Sequence, residues 1–294
     1  MQIKGFHIIR ELGQGTFGTV FQAYTNNGHQ VAIKVLKNSN NALFERFAHE
    51  AQILSANAAN KHIVSILASN LKDTPPYIVM EYCDGGSLRA WVRDRRHWKD
   101  VAAALIHSAK GLTSLHQMNG FHRDLKPDNI LLSNNLAMGP VIKLGDFGLA
   151  RMPVDSTYMT HTAQGTDGYM APELAAGEPM TAAADMYSLG ITGIELLTGK
   201  RVASSIKTAV APLRFQKLLG QMIASDASQR PTAPAVVNNL TEILNADDVE
   251  QNSQQNSDGL LAGLLIGGVL ALGGIAATVA AFAIEAENKG KNYR

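Results

Sequence analysis

Within six positions the sequence places an aspartate, a lysine and an asparagine that could act together on a hydroxyl and a phosphate: Asp124, Lys126 and Asn129, in the run HRDLKPDN. Asp124 is suited to accept the proton of an incoming hydroxyl, Lys126 to steady a phosphoryl group in transfer, and Asn129 to hold a metal ion. Asp146, in DFG, adds a carboxylate, and an amide oxygen with a carboxylate are the hard ligands that magnesium prefers. Upstream, GQGTFGTV carries Gly13, Gly15 and Gly18, whose backbone amides can approach phosphate oxygens with no Cβ in the way. Such a glycine pattern alone suits a dinucleotide fold equally well, but here it lies between two strand-like runs and does not open a helix. Lys34 ends the apolar run VAIK, where it can meet phosphate oxygens, and Glu50, sixteen residues later, could pair with it.

These residues must be positioned by surrounding elements. Phe6 to Leu12, Gly18 to Tyr24 and Gln30 to Leu36 are short and rich in β-branched or aromatic residues, with Gly and Asn between them, and read as strands. Asn41 to Ala56 has helical spacing, with Leu43, Phe47, Ala51 and Leu54 on one stripe. Tyr77 to Glu81 reads as another strand. After Gly85 and Gly86 the patterns become long helices: Asp100 to Met118, Ala182 to Thr198 and Pro212 to Ala224. A strand-rich lobe followed by a helix-rich lobe implies an α+β arrangement with a cleft between the two.

The set of motifs, in this order and spacing, resembles the eukaryotic-type (Hanks-type) serine/threonine protein kinase family, from about Phe6 to Leu244. The resemblance implies ATP with magnesium or manganese, and protein substrates. It assigns Lys34 to the α- and β-phosphates, Glu50 to orienting that lysine, Asp124 to the catalytic base, and Asn129 with Asp146 to the metal. Met80 resembles the residue at the back of the adenine pocket, and Glu81 to Cys83 the hinge that bonds the adenine ring. Val20, Ala32 and Leu132 would form that pocket's floor and ceiling. Ala171-Pro-Glu173 resembles the end of the activation segment, Asp185 opens a matching helix, and Arg230 resembles the arginine that pairs with Glu173. His122 is expected to pack beneath the catalytic loop, and Cys83 to be a pocket-wall residue, not a nucleophile.

Lys126 and the Gly165-Thr166 pair ahead of Tyr169 match the serine/threonine pattern. Arg123 beside the base implies control by phosphate on the activation segment, with Ser156, Thr157, Tyr158, Thr160 and Thr162 as candidates and Thr160 and Thr162 preferred. An alternative is a pseudokinase scaffold; such proteins lose the lysine, the base or the metal aspartate, and none is lost here. Between Val202 and Ala211 the chain is shorter and more polar than the family pattern, which implies a curtailed substrate-docking region.

The formal charge of +1 gives no reason to expect a nucleic-acid surface. A single cysteine rules out an internal disulfide and a cysteine-rich zinc site, and fits a reducing compartment. Met1 to Arg10 carries charge and lacks the apolar core of a signal peptide. Charged residues are 17%, below the roughly 25% of soluble domains, and part of the deficit falls in Gly259 to Ile284, which has no charge. At 1.5 Å per residue a helix of that length reaches about 39 Å, enough to span a bilayer with tilt. The expected organisation is a kinase domain over 1–245, with lobes dividing near 82 and 83, a disordered linker over 246–258, a transmembrane helix over 259–284 and a polar tail over 285–294. Such a chain resembles bacterial membrane-anchored kinases, with the kinase domain in the cytosol where ATP is. A kinase effector acting at a host membrane is a further alternative. Gly259, Gly263 and Gly267 recur every four residues, a spacing that favours close helix pairing and a homodimer.

Overall fold

The structure, a computed structural model, is described for residues 3–15, 18–36, 41–134, 139–147 and 168–246. Gly148, Gly165, Thr166, the five candidate phosphorylation sites and everything from 247 onward lie outside these residues. Among the described residues no helix is long and apolar enough to cross a membrane, and the run from Gly259 to Ile284 is not among them.

Five antiparallel strands form the upper sheet: β1 (Phe6–Gln14), β2 (Gly18–Thr25), β3 (Gln30–Leu36), β4 (Ile66–Asn70) and β5 (Tyr77–Glu81), in the order β1-β2-β3-β5-β4. The centre of this sheet is β3, and its apolar run reads as a strand covered on both faces. Side chains alternate along it. Val31, Ile33 and Val35 enter a small cluster with Ile3, Ala23 and Val79, while Ala32 and Leu36 enter the main core. Lys34 shares the second parity, so its ammonium is delivered to the face that looks into the molecule. On that face lies α1 (Asn41–Ala56), whose stripe of Phe47, Ala51 and Leu54 is buried together with Glu50.

The lower part is helical: α2 (Arg89–Asp94), α3 (Trp98–Gln117), α4 (Pro172–Ala175), α5 (Ala182–Thr198), α6 (Leu213–Met222) and α7 over 233–246. A two-stranded sheet of β6 (Ile130–Ser133) and β7 (Val141–Leu144) underlies the cleft. The apolar α5 runs through the core, with Leu189, Ile194 and Leu196 fully buried, and ends at Gly199 in the left-handed conformation (φ 72°) that a residue without a Cβ adopts at little cost. Where the sequence pattern suggests a shortened docking region, the chain forms a 3-10 helix over Ala203–Thr208 and then α6, leaving Val202, Val210 and Leu213 exposed.

The two halves are joined by more than the hinge. The linker from α1 to β4 pairs with β7: Val64 N donates to Leu144 O at 2.9 Å and Leu144 N to His62 O at 2.9 Å. Two imidazoles reinforce this seam, with ring centroids 4.5 Å apart. His62 Nδ1 donates to Ile142 O at 3.3 Å, and His107 Nδ1 accepts from Ile142 N at 3.2 Å. Burial pushes His62 down to about 4, with Lys110, Lys61 and Lys143 adding to the effect, and burial with the His62 ring pushes His107 down to about 3. Both histidines therefore stay neutral when folded but take up protons near pH 6.5 when unfolded, so the stability they confer is complete above about pH 6.5 and is lost as pH falls towards 4. We expect His107→Gln, which keeps an acceptor for Ile142 but does not titrate, to reduce the loss of unfolding free energy between pH 7 and pH 5 by about 1–2 kcal/mol. Urea titrations of both proteins at the two pH values measure this, and equal losses would refute it.

Candidate active site

Three elements bring charge to one point beneath the sheet. Lys34 Nζ lies 2.7 and 2.6 Å from the two oxygens of Glu50 and 2.7 Å from Asp146 Oδ1. The lysine and glutamate side chains are 6% and 1% exposed, whereas that of Asp146 is 47% exposed. Asp146 is therefore the member that can meet a ligand from solvent. Burial works against a charge on Lys34, but the Glu50 and Asp146 carboxylates more than offset it, so its pKa is raised above the ordinary value.

A second centre is built on the loop from His122 to Asn129. Asp124 Oδ2 accepts from Lys126 Nζ at 2.8 Å and from Asn129 Nδ2 at 2.8 Å, and Asn129 Nδ2 also reaches the Asp124 carbonyl at 2.8 Å. Two donors on one oxygen fix the carboxylate's rotation. The asparagine commits its nitrogen to Asp124, which leaves its side-chain oxygen as the atom suited to a cation. That oxygen and the Asp146 carboxylate are hard ligands of the kind magnesium takes, so the residues present fit such an ion.

The loop is held in an unusual shape. Arg123 and Asp146 both have positive φ, 71° and 56°, in a region that non-glycine residues seldom occupy. What holds the first is Asp185, fully buried at the start of α5. Its carboxylate accepts from His122 N and Arg123 N at 2.9 Å each and contacts His116 Nε2 at 2.9 Å. His122 packs under the loop as expected, with Nε2 on Gly145 O at 3.1 Å and its ring 4.8 Å from that of Phe147. The Arg230–Glu173 pairing also forms, as a bidentate bond of 2.6 and 2.7 Å.

The expected adenine-pocket residues meet in the main core. Ala32, Met80, Cys83 and Leu132 are buried in one cluster, with Val20 packed against it. Burial, then the Glu81 carboxylate, pushes the Cys83 thiol up to about 12, which suits a wall residue and not a nucleophile. Glu81 has a role the sequence did not suggest: Oε1 accepts from Ser65 N at 2.6 Å and lies 2.8 Å from Lys143 Nζ, tying the hinge to β7. Lys143 was likewise missed, and Asp185 was read only as opening a helix, not as a partner of the catalytic-loop backbone. For Asp185 there was a signal, an acid in an otherwise apolar helix, which needs a buried partner.

The protein kinase domain family model matches residues 6–240. The chain belongs to the protein kinase family. Members of the family use ATP with a divalent metal ion. The kinase domain is 32% identical over 237 residues to "Serine/threonine-protein kinase Pkn1" of Myxococcus xanthus, covering 79% of this chain and 33% of that protein. It is 33% identical over 254 residues to "Serine/threonine-protein kinase dst1" of Dictyostelium discoideum, covering 79% and 34%, and 31% identical over 255 residues to "Serine/threonine-protein kinase Nek5" of the mouse, covering 80% and 40%. The chain thus spans about a third of the length of the curated relatives it matches.

The kinase's three loop glycines are not equivalent. Among the described residues, a Cβ on Gly18 would lie 2.2 Å from Val35 O on the neighbouring strand, whereas one on Gly13 would meet nothing within 4 Å and one on Gly15 would touch Gly18 O at 4.0 Å. Gly18 serves the pairing of β2 with β3, and Gly13 and Gly15 have no such close neighbour among the described residues. Gly18→Ala should lower unfolding free energy by about 1–3 kcal/mol, and Gly13→Ala should change it by no more than about 0.5 kcal/mol. Urea denaturation of the two variants checks this, and equal effects would count against the distinction.

Proposed function

We propose that the chain transfers the γ-phosphoryl group of ATP to serine or threonine hydroxyls of proteins. The observation that carries this reading is the paired construction of the cleft: a lysine held between Glu50 and Asp146 on one side, and Asp124 held by Lys126 and Asn129 on the other. Lys34 would bind the α- and β-phosphates, with Glu50 fixing its direction. Asn129 and Asp146 would hold magnesium, which would supply positive charge to offset that of the phosphates. Backbone amides around Gly13, Gly15 and Gly18 would cover the phosphates, and Val20, Ala32, Leu132 and the backbone of Glu81 to Cys83 would take the adenine.

In the transfer, Asp124 takes the proton from the acceptor hydroxyl as its oxygen bonds to the γ-phosphorus. The bond from that phosphorus to the β-γ bridging oxygen breaks, and ADP leaves with the electron pair. Lys126, 2.8 Å from Asp124, stands where it can offset charge on the moving phosphoryl. Lysine at this place, and relatives whose names specify serine/threonine kinases, support hydroxyl acceptors of that class. Asp124→Asn keeps the loop's shape but removes the base. It should lower kcat by about 10²–10⁴ while ATP affinity stays within about twofold. Turnover assays with labelled ATP and nucleotide titrations measure the two quantities, and an unchanged kcat would refute the assignment.

We also propose that the chain is anchored in a membrane by 259–284, through the linker 246–258, with the kinase domain on the cytosolic side and its activation segment controlled by autophosphorylation. The support is compositional: 26 residues without a charge, bounded by Asp258 and Glu285. Small residues at Gly259, Gly263 and Gly267 would let two such helices pair and bring two kinase domains together. Leucine at both Gly263 and Gly267 should weaken oligomers of the full chain in detergent, read by analytical ultracentrifugation. An unchanged oligomer would remove the helix-pairing proposal.

A further inference from the structure

Beside the transfer machinery, a buried carboxylate, a half-exposed carboxylate and a phenol converge on one guanidinium. Arg89, the first residue of α2, directs Nη1 to Glu195 Oε1 at 2.8 Å, Nε and Nη2 to Asp128 Oδ2 at 3.1 and 2.6 Å, and Nη2 to the Tyr169 hydroxyl at 2.8 Å. Tyr169 in turn donates to Glu195 Oε2. Arg201 stands farther off, with Nε 3.7 Å from Glu195 Oε1 and its guanidinium 5.4 Å from the Tyr169 ring centre. Four separate parts of the chain meet here: α2, the catalytic loop, the segment entering α4, and α5.

Position and exposure say what such a cluster can do. Asp128 lies in sequence between Lys126 and Asn129, both of which bond Asp124, so the cluster borders the loop that carries that aspartate. Glu195 is almost fully buried, its side chain 6% exposed, while Arg89 and Asp128 remain 35% and 45% exposed. The arrangement is a buried acid and a half-exposed acid joined by one arginine that is itself partly exposed. A carboxylate buried as deeply as Glu195 needs a cation, and with Asp128 exposed beside it the pair is a receptor for one. Here the chain supplies that cation itself.

We propose that Arg89 is a specificity-determining residue, occupying from within an acidic pair that would otherwise hold a positively charged side chain of the protein substrate. The kinase then selects serine or threonine without requiring a basic neighbour. This rests on the phosphotransfer reading above. Removing Arg89 uncovers Glu195 and Asp128 beside the catalytic loop, and a substrate arginine gains by replacing it.

The test uses the full chain and a serine peptide on an alanine-glycine background. Single arginines are placed at each position from four before to four after the serine. For the wild type, every arginine peptide should stay within about twofold of the parent in kcat/KM and in Kd by fluorescence anisotropy, as expected for exposed charge contacts. For Arg89→Ala, at least one register should gain about tenfold over the parent in both measures, as a close charge pair permits. That same peptide should raise the variant's melting temperature more than the parent peptide does, which a purely structural role for Arg89 would not produce. A folded Arg89→Ala with a flat profile overturns the proposal, as does a wild type that already prefers arginine by tenfold at the same register. If Arg89→Ala does not fold, Arg89→Gln is measured in its place; failure of both to fold makes Arg89 a structural staple and also overturns the proposal. Absence of wild-type turnover on the parent would instead defeat the phosphotransfer reading, while the binding comparison still decides the role of Arg89.

Discussion

Everything in the cleft is arranged around an ammonium group that has been taken out of water. Lys34 is on a strand covered on both faces, and strand alternation alone forces it into the main core. A lone buried lysine would lose its proton or unfold the sheet around it. Glu50 from α1 and Asp146 from the segment after β7 prevent that, each within 2.7 Å. The requirement that this charge be paired therefore fixes the approach of α1 to the sheet. It also fixes the height at which the lower lobe presents Asp146. The two carboxylates differ in exposure, so one is a permanent structural partner and the other faces the open cleft.

The lower lobe solves a related problem with its polarity reversed. Asp185 is a carboxylate with no exposure at all, satisfied by two backbone N–H groups of the catalytic loop and by His116. Those bonds hold the backbone of His122 and Arg123, and with it the left-handed conformation of Arg123. That conformation turns the chain so that Asp124 emerges beside Lys126 and Asn129. The strained residue is kept in place by a buried charge that would be costly to leave unpaired. Catalytic geometry here is a consequence of desolvated charges satisfied by backbone, as it is in the upper lobe of desolvated charges satisfied by each other.

This logic explains which parts were legible in the sequence. The bounds read for β3, α1, β5 and α5 coincide with those observed, because each carries a strong apolar period that burial then uses. Lys34, Glu50, Asp124, Lys126, Asn129 and Asp146 were legible through a motif, and the structure brings them into two adjoining centres. By contrast, β4 is mostly exposed and α2 has only six residues, so neither has a pattern long enough to read. The Arg89 cluster was hidden for another reason. Its members are up to 106 positions apart and polar, and no local periodicity joins Arg89 to Glu195. Buried acids inside apolar helices, Asp185 and Glu195, were the visible half of such pairs; the sequence offers no rule for finding the other half.

On the proposed reading, an acidic pair already filled and a membrane tether bear on the same question. A kinase that recognises substrates by a basic neighbour gains selectivity from that charge pair, and one whose acidic pair is already occupied gives up that contribution. Selectivity must then come from elsewhere, and the expected linker offers a source. The twelve residues between α7 and Gly259, of flexible composition, have a root-mean-square span of about 20 Å, which would keep the cleft close to the bilayer surface. Substrates on the same membrane would meet it at a high effective concentration, and soluble proteins with better-matched sequences would not. Weak sequence preference and strong positional preference are thus compatible halves of one arrangement. Freeing the catalytic domain from its tether would broaden its targets without any change in the cleft.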